Sequence, residues 1–520
     1  MTDTPNSSNN PKSLFWLEVV DWFRSKDWSW NHLAWILLVA LTLFRFWYAT
    51  TLELVEDEAY YWLWSQNLDM CYYSKGPGIA WTIATGTILW GDNVFGIRFF
   101  SVLLSAATGY WVFRLGKLLF NERVGFITLL FAGVIPIYAV GSILMTIDPL
   151  SLFFWTLAAY TFWQAKDQDR ILPWLLPGLW IGLGMLCKYT NVAQLLCFAL
   201  FCLWIPRYRS HFAKPTFWSM VFVSLLSLTP TIAWNAKHDW ITLQHLVDRG
   251  KLGPDDSFTF KFNELTQFIS EQALVISPLF LISILISAGL LLRSSGKKDL
   301  LNTQWKFLLA LFAPLILFYL VLSINEAGEA NWTAPSYLAG IVMLAAFVCH
   351  KTATKPLLRR FIIGAAALAL IQTIALHNTA VIPLSKLGIP DPLDRVRGNR
   401  QLAETVVTIQ QEQGATFLVA RRYQTASLIS FYHPDRPQVF LPKSDRIENQ
   451  FSFWPGYDEL MKHEHSALFI CRGEEGPRQS LVDEFADVRL IKEFHTTFQG
   501  RMIHLYRIYL CSYYHGQGRK

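Results

Sequence analysis

The chain has 520 residues, of which 52% are hydrophobic and only 16% charged, with a mean hydropathy of +0.28. That balance excludes an ordinary soluble domain of this length, which carries more charge. The net charge of +6 is modest, and no basic run interleaves with aromatics, which argues against nucleic acid as a partner.

Residues 1–31 are polar and contain no short apolar core before a cleavage site, so they are expected to form a cytoplasmic N-terminal segment rather than a signal peptide. The first span then serves as an uncleaved anchor. Apolar stretches of about 20 residues, the length that crosses a bilayer, recur down to about residue 378. They predict about eleven spans, near 32–51, 94–116, 124–143, 149–165, 172–187, 189–205, 216–235, 272–292, 305–324, 333–350 and 360–378. Alternate loops are basic: Arg114, Lys117 and Arg123; Lys166 and Arg170; Arg207, Arg209 and Lys214; Arg293, Lys297 and Lys298; Lys351, Lys355, Arg359 and Arg360. The positive-inside rule makes these loops cytoplasmic, with the N-terminus inside and the C-terminus outside.

That topology puts residues 52–93, the turn before Asp148, the loop 236–271 and Asn325–Trp332 on the outer face. Within the first of these, the aromatic stretches Tyr60–Leu68 and Gly78–Leu89 read as helices lying in the interface plane. From about residue 380 the composition changes. Pro383, Pro390 and Pro392 punctuate a linker, Arg400–Gln413 reads as a helix, and Thr416–Ala420, Ala467–Cys471 and Met502–Ile508 read as strands. The expected fold is a polytopic α-helical membrane protein with a small extracytoplasmic α/β domain. Its parts are 1–31, a membrane part at 32–380 and an outer domain at 381–520. The seven Cys show no metal spacing and read as small buried hydrophobes.

Few residues break the apolar pattern. Asp57 and Glu58 follow the first span, where carboxylates are costly and usually kept for function; a helix cap is the plainer alternative. Asp148 precedes Pro149 at a predicted helix start, a good capping position. Lys75, Lys188 and Arg98 are cations on the predicted outer face, against the topological trend. They suggest an anionic ligand there, with snorkelling to headgroups as the alternative.

The stretch Asp57-Glu58-Ala59-Tyr60-Tyr61-Trp62, with Tyr72-Tyr73-Ser74-Lys75-Gly76-Pro77 and Ala80-Trp81, resembles the first outer loop of bacterial membrane glycosyltransferases of the GT-C class. These are relatives of the protein O-mannosyltransferases and of the lipid A aminoarabinose transferases. Phe95-Gly96-Ile97-Arg98, Thr146-Ile147-Asp148-Pro149, Leu186-Cys187-Lys188-Tyr189-Thr190, Trp234-Asn235-Ala236-Lys237-His238-Asp239-Trp240, Ala330-Asn331-Trp332-Thr333-Ala334-Pro335, Arg422-Tyr423-Gln424-Thr425-Ala426-Ser427 and Asn449-Gln450-Phe451-Ser452-Phe453-Trp454 extend the likeness in order along the chain.

The resemblance implies an inverting transfer of a sugar from a polyprenyl-phosphate donor to a hydroxyl of a lipid, glycan or protein acceptor, at the outer side of the cytoplasmic membrane. It makes Asp57 the base, with Glu58 and Asp148 beside it. Lys75, Lys188 and Arg98 would meet the donor phosphate, and Tyr60, Tyr61, Asn331, Trp332, Arg422 and Tyr423 would line the substrate cavity. Relatives often carry a carboxylate of a metal site where this chain has Ser74. His238, Asp239 and His245 are the remaining candidate ligands for a divalent ion. A transporter or flippase of a lipid-linked or anionic solute is the alternative, and a scaffold presenting the outer domain ranks last.

Overall fold

The computed structural model describes residues 28–250, 259–294, 301–352, 355–381, 388, 390–444, 446–460 and 465–516. The expected N-terminal segment up to residue 27, the lysines at 297 and 298, and Pro383 of the linker lie outside them. The membrane part is helical: α1 (Trp30–Ala49), α2 (Glu56–Gln66), α3 (Gly78–Trp90), α4 (Val94–Leu119), α5 (Glu122–Val134), α6 (Pro136–Gly141), α7 (Ile147–Ala165), α8 (Ile171–Cys187), α9 (Ala193–Trp204), α10 (Pro215–Leu226), α11 (Thr229–Lys237), α12 (Ile241–Arg249), α13 (Phe262–Ile276), α14 (Pro278–Ser294), α15 (Leu301–Leu322), α16 (Ala334–Lys351) and α17 (Pro356–His377).

Five of these, α1, α4, α15, α16 and α17, are long and apolar enough to cross a bilayer alone. Two more spans arise if the bent pairs α10–α11 (42°) and α13–α14 (99°) each count as one. The stretch expected at 124–143 is likewise divided into α5 and α6. The divisions follow proline: Pro136, Pro230 and Pro278 stand at or next to helix starts, where the missing N–H costs nothing, and each would disrupt a continuous helix. Helix starts at Ser29, Asn93, Asn121 and Thr146 are capped by side chains that accept a backbone N–H. In α3, Trp81, Ile88, Leu89 and Trp90 remain exposed, as suits a helix at a membrane surface.

Beyond residue 390, α18 (Asn399–Gln413) and α19 (Tyr423–Tyr432) pack on a five-stranded sheet of β1 (Phe417–Ala420), β2 (Val439–Phe440), β3 (Ala467–Arg472), β4 (Phe485–Phe498) and β5 (Arg501–Tyr514). The strand order is β2-β1-β3-β5-β4, with β1 parallel to both neighbours and the rest antiparallel. Strand alternation divides β1 between two cores: Leu418 and Ala420 face α18 and α19, and Phe417 and Val419 face the other side.

This sheet portion is fastened to the first loop. Leu428 and Phe431 of α19 join a buried cluster with Tyr60, Tyr61, Trp62 and Trp64 of α2. The Glu53 carboxylate accepts the Asn399 N–H at 2.6 Å, and Gln450 accepts the Tyr73 N–H at 2.7 Å. Six of the seven cysteines are buried, and all are free.

Candidate active site

The start of α2 carries Glu56, Asp57 and Glu58 in its first turn, where the positive end of the helix dipole favours carboxylates. Helical geometry then sends them to different surroundings. Glu58 points into the protein and is fully buried. It accepts Nε and Nη2 of Arg98 at 2.8 and 2.6 Å, the Met145 N–H at 2.7 Å and the Val55 N–H at 3.1 Å. Arg98 uses its remaining donors on the carbonyls of Ala49, Leu52 and Glu53. This buried ion pair closes the end of α1, caps α2 and holds the turn before Asp148. It departs from two expectations: Arg98 and Glu58 are buried against each other, and neither lines the cavity that Asp57 faces. A cation read as defying topology is neutralised by a carboxylate forty residues away.

Asp57 faces a cavity of about 1090 Å³. It is half-buried, and the closest cation is Arg395 at 3.9 Å. Burial raises its carboxyl above the usual range, Arg395 partly opposes this, and Glu56 adds to it. Glu56 is itself held by Arg395 at 3.3 Å and Arg472 at 3.2 Å.

Across the cavity, Thr146 caps α7 and presents Asp148. Asp148 accepts Lys188 Nζ at 2.7 Å and Asn331 Nδ2 at 2.5 Å, and Lys188 also donates to the Asn331 carbonyl at 3.3 Å. Lys188 ends α8 in an extended conformation before a short 3-10 turn, which turns its side chain inward. The loop bearing Lys75 is pressed onto this point. A Cβ on Gly76 would stand 2.2 Å from the Leu186 carbonyl oxygen, and one on Gly78 would stand 2.4 Å from Cys187 Sγ, so only glycine allows the approach.

Lys75 lines the cavity with no hydrogen bond or ion pair to its ammonium among the described residues. Burial pulls it down to about 8; Arg249 and Lys188 push the same way, and Asp148 and Asp57 offset them. Arg249 pairs with Glu329 at 2.7 Å and lies over the Trp332 ring at 5.6 Å.

Tyr60, Tyr61, Asn331, Trp332, Arg422 and Tyr423 all line the same cavity. Tyr60 packs on Tyr423 at 4.4 Å and accepts the Gln450 N–H at 2.7 Å. Arg421 does not line the cavity itself but pairs at 2.6 Å with Glu475, which does. Glu56, Arg249, Arg395 and Arg472 also line the cavity and were not anticipated. Only Arg249 left a signal, as another cation on a predicted outer loop.

The metal candidates separate. His245 reaches the cavity against Tyr73 at 4.5 Å, and burial, then Lys75 and Arg249, lower it to about 4, so it is neutral at pH 7. His238 instead stacks on Trp234 at 3.9 Å, and its Nδ1 is engaged by the Trp234 carbonyl at 2.8 Å. Neither His238 nor Asp239 lines the cavity. Among the described residues no three His, Cys, Asp or Glu are grouped to hold a metal. With Ser74 in place of a carboxylate and Asp148 occupied by Lys188 and Asn331, the described residues do not fit the divalent site that the resemblance left open.

Residues 74–234 match the family described as dolichyl-phosphate-mannose-protein mannosyltransferase. The lipid A galacturonosyltransferase RgtD of Rhizobium johnstonii is 28% identical over 288 residues, 55% of this chain and 59% of that protein. The undecaprenyl phosphate-alpha-4-amino-4-deoxy-L-arabinose arabinosyl transferase of Pseudomonas aeruginosa (strain UCBPP-PA14) is 28% identical over 155 residues, 28% of each chain. The chain thus spans about 59% of the first relative's length and about a quarter of the second's. The crystal structure of ArnT from Cupriavidus metallidurans bound to undecaprenyl phosphate superposes with a TM-score of 0.59 at 13% identity, over 91% of this chain and 97% of that one. Its apo form gives 0.57 at 12% identity, with the same coverage. The chain is a multi-pass membrane protein with the GT-C fold of the ArnT structures, related to the protein O-mannosyltransferases and the lipid A aminoarabinose transferases.

Proposed function

We propose that this chain is an inverting glycosyltransferase that moves a sugar from a polyprenyl phosphate to an acceptor hydroxyl. The observation that carries this reading is one cavity holding a half-buried carboxylate, Asp57, whose cation Arg395 stands off at 3.9 Å, and the Lys75 ammonium, without a partner among the described residues, with Lys188 lining the same cavity. The acceptor oxygen attacks the anomeric carbon from the face opposite the phosphate. The new C–O bond forms as the bond to the phosphate oxygen breaks, and the acceptor proton passes to Asp57. Charge builds on the departing phosphate through an oxocarbenium-like state. Lys75 and Lys188 meet that charge in a low-dielectric site, where a fixed cation is worth more than in water. Asp148 and Asn331 hold Lys188 in place.

Within this proposal, residues 32–380 are the catalytic membrane part in the cytoplasmic membrane. Residues 381–520 cover the cavity from the extracytoplasmic side, bringing Arg395, Arg422 and Arg472 to it. The number of spans beyond seven and the inside position of the N-terminus belong to the same proposal. RgtD is named for lipid A, so a lipid acceptor of that class is the first to assay. The test is transfer from polyprenyl-phosphate sugars of known anomeric configuration, with the product analysed by NMR. The proposal expects an inverted linkage; a retained one overturns it.

A further inference from the structure

Arg45 is a charged residue in the last turns of an apolar helix, and it does not line the cavity. It lies on α1 four residues before the helix end at Ala49, which places it about 6 Å inside that end. It is 8% exposed. Among the described residues its guanidinium has no hydrogen bond, ion pair or ring partner. A guanidinium buried without a partner is costly, and an ionisable group kept inside a membrane protein marks a functional site by default.

The surroundings offer no internal partner. One turn on, Tyr48 packs against His377 of α17 at 4.9 Å and donates to the His377 carbonyl at 2.7 Å. Phe44 lies 6.0 Å from the same ring and stacks on Tyr48 at 5.7 Å. Glu58 is committed to Arg98, which binds the Ala49 carbonyl at the end of α1, and Asp391 is committed to Arg397 and Arg501. His377 spends Nδ1 on the Thr373 carbonyl at 2.8 Å, which leaves Nε2 without a partner among the described residues. None of Arg45, Tyr48 and His377 lines the catalytic cavity.

The geometry points to a phosphate-binding site between α1 and α17, occupied by the headgroup phosphate of an anionic phospholipid. Arg45 supplies the charge and a forked donor pair, which matches phosphate oxygens. His377 Nε2 is the second polar atom left over beside the Tyr48 ring. The position suits a lipid headgroup. It is at the end of α1 that leads into the first loop, within reach of the interface for a long side chain. A lipid there would brace the first helix, whose end carries the Glu58–Arg98 lock. The inference does not rest on the proposed reaction.

The test uses the full chain, purified and delipidated in neutral detergent, as wild type, Arg45→Leu, Arg45→Lys and His377→Gln. Thermal unfolding is followed with phosphatidylglycerol, phosphatidylcholine or inorganic phosphate added. Phosphatidylglycerol should raise the wild-type midpoint at least about 3 °C more than that of Arg45→Leu, with Arg45→Lys and His377→Gln in between. Phosphatidylcholine should act equally on all. Inorganic phosphate reproducing the full difference would assign the site to free phosphate and overturn the lipid assignment. Without lipid, Arg45→Leu should be at least as stable as wild type, because it removes an uncompensated charge. A less stable Arg45→Leu, or equal phosphatidylglycerol shifts in both proteins, overturns the site. Native mass spectrometry should show one more retained phospholipid on wild type than on Arg45→Leu.

Discussion

On the proposed reaction, the lowered ammonium of Lys75 should make the alkaline limit a property of one residue. Lys75 sits at about 8 because burial and the charges of Arg249 and Lys188 disfavour its proton. A lysine is charged below its pKa, so the contribution is complete at low pH and is lost as pH rises through that value. The protonated fraction falls from about nine-tenths at pH 7 to about one-tenth at pH 9, so kcat/KM should fall about tenfold over that range. Lys75→Arg keeps a positive charge at any accessible pH, since arginine titrates above about 12. Its profile should lose the alkaline limb, although its plateau drops because a planar fork replaces a compact ammonium. The acid limb should remain in both proteins. Asp57 must be deprotonated to act as base, and its raised carboxyl makes the rate climb as pH rises through a value above the ordinary carboxylate range. The assay is donor consumption in nanodiscs from about pH 5 to about pH 10, read as kcat/KM. An unchanged alkaline limb in Lys75→Arg, or a wild-type rate that stays flat to the alkaline end, refutes the assignment of Lys75 to the phosphate.

Arg98→Ala leaves Glu58 buried with only two backbone donors and should cost about 3–5 kcal/mol, seen as loss of folded, monodisperse protein; Glu58→Gln in the same background should recover part of it. Gly76→Ala drives a methyl into the Leu186 carbonyl and should displace Lys75, lowering transfer more than tenfold or so while donor binding weakens in parallel. His238→Ala should keep transfer within about twofold of wild type, since the ring packs on Trp234 outside the cavity.

The apolar stretches were legible because crossing a bilayer imposes a length, but Pro136, Pro230 and Pro278 divide stretches that read as continuous spans. Asp57 and Asp148 stood out as carboxylates among apolar neighbours, and the structure brings both to one cavity. What was hidden is direction. Asp57 and Glu58 are adjacent in sequence, but a helix turns about 100° per residue, so one faces the cavity and the other the core. Arg98 shows the same limit: its charge was visible, and its partner in another helix was not. Arg395 and Arg472 reach Glu56 from more than 300 positions away, through a contact that only the packing of the sheet portion creates. His238 and Asp239 had the chemistry of ligands, but the left-handed turn at Asp239 and Trp240 and the stack on Trp234 direct them elsewhere.

The measurement closest to the central claim compares wild type with Asp57→Asn in nanodiscs, with a polyprenyl-phosphate sugar and a lipid acceptor, following donor consumption and thermal unfolding together. A base at Asp57 predicts turnover in wild type and a loss of about 10²–10⁴-fold in the variant, with the unfolding midpoint unchanged. Turnover by Asp57→Asn within about threefold of wild type would contradict it, because a group that takes the acceptor proton cannot be replaced by an amide at so small a cost.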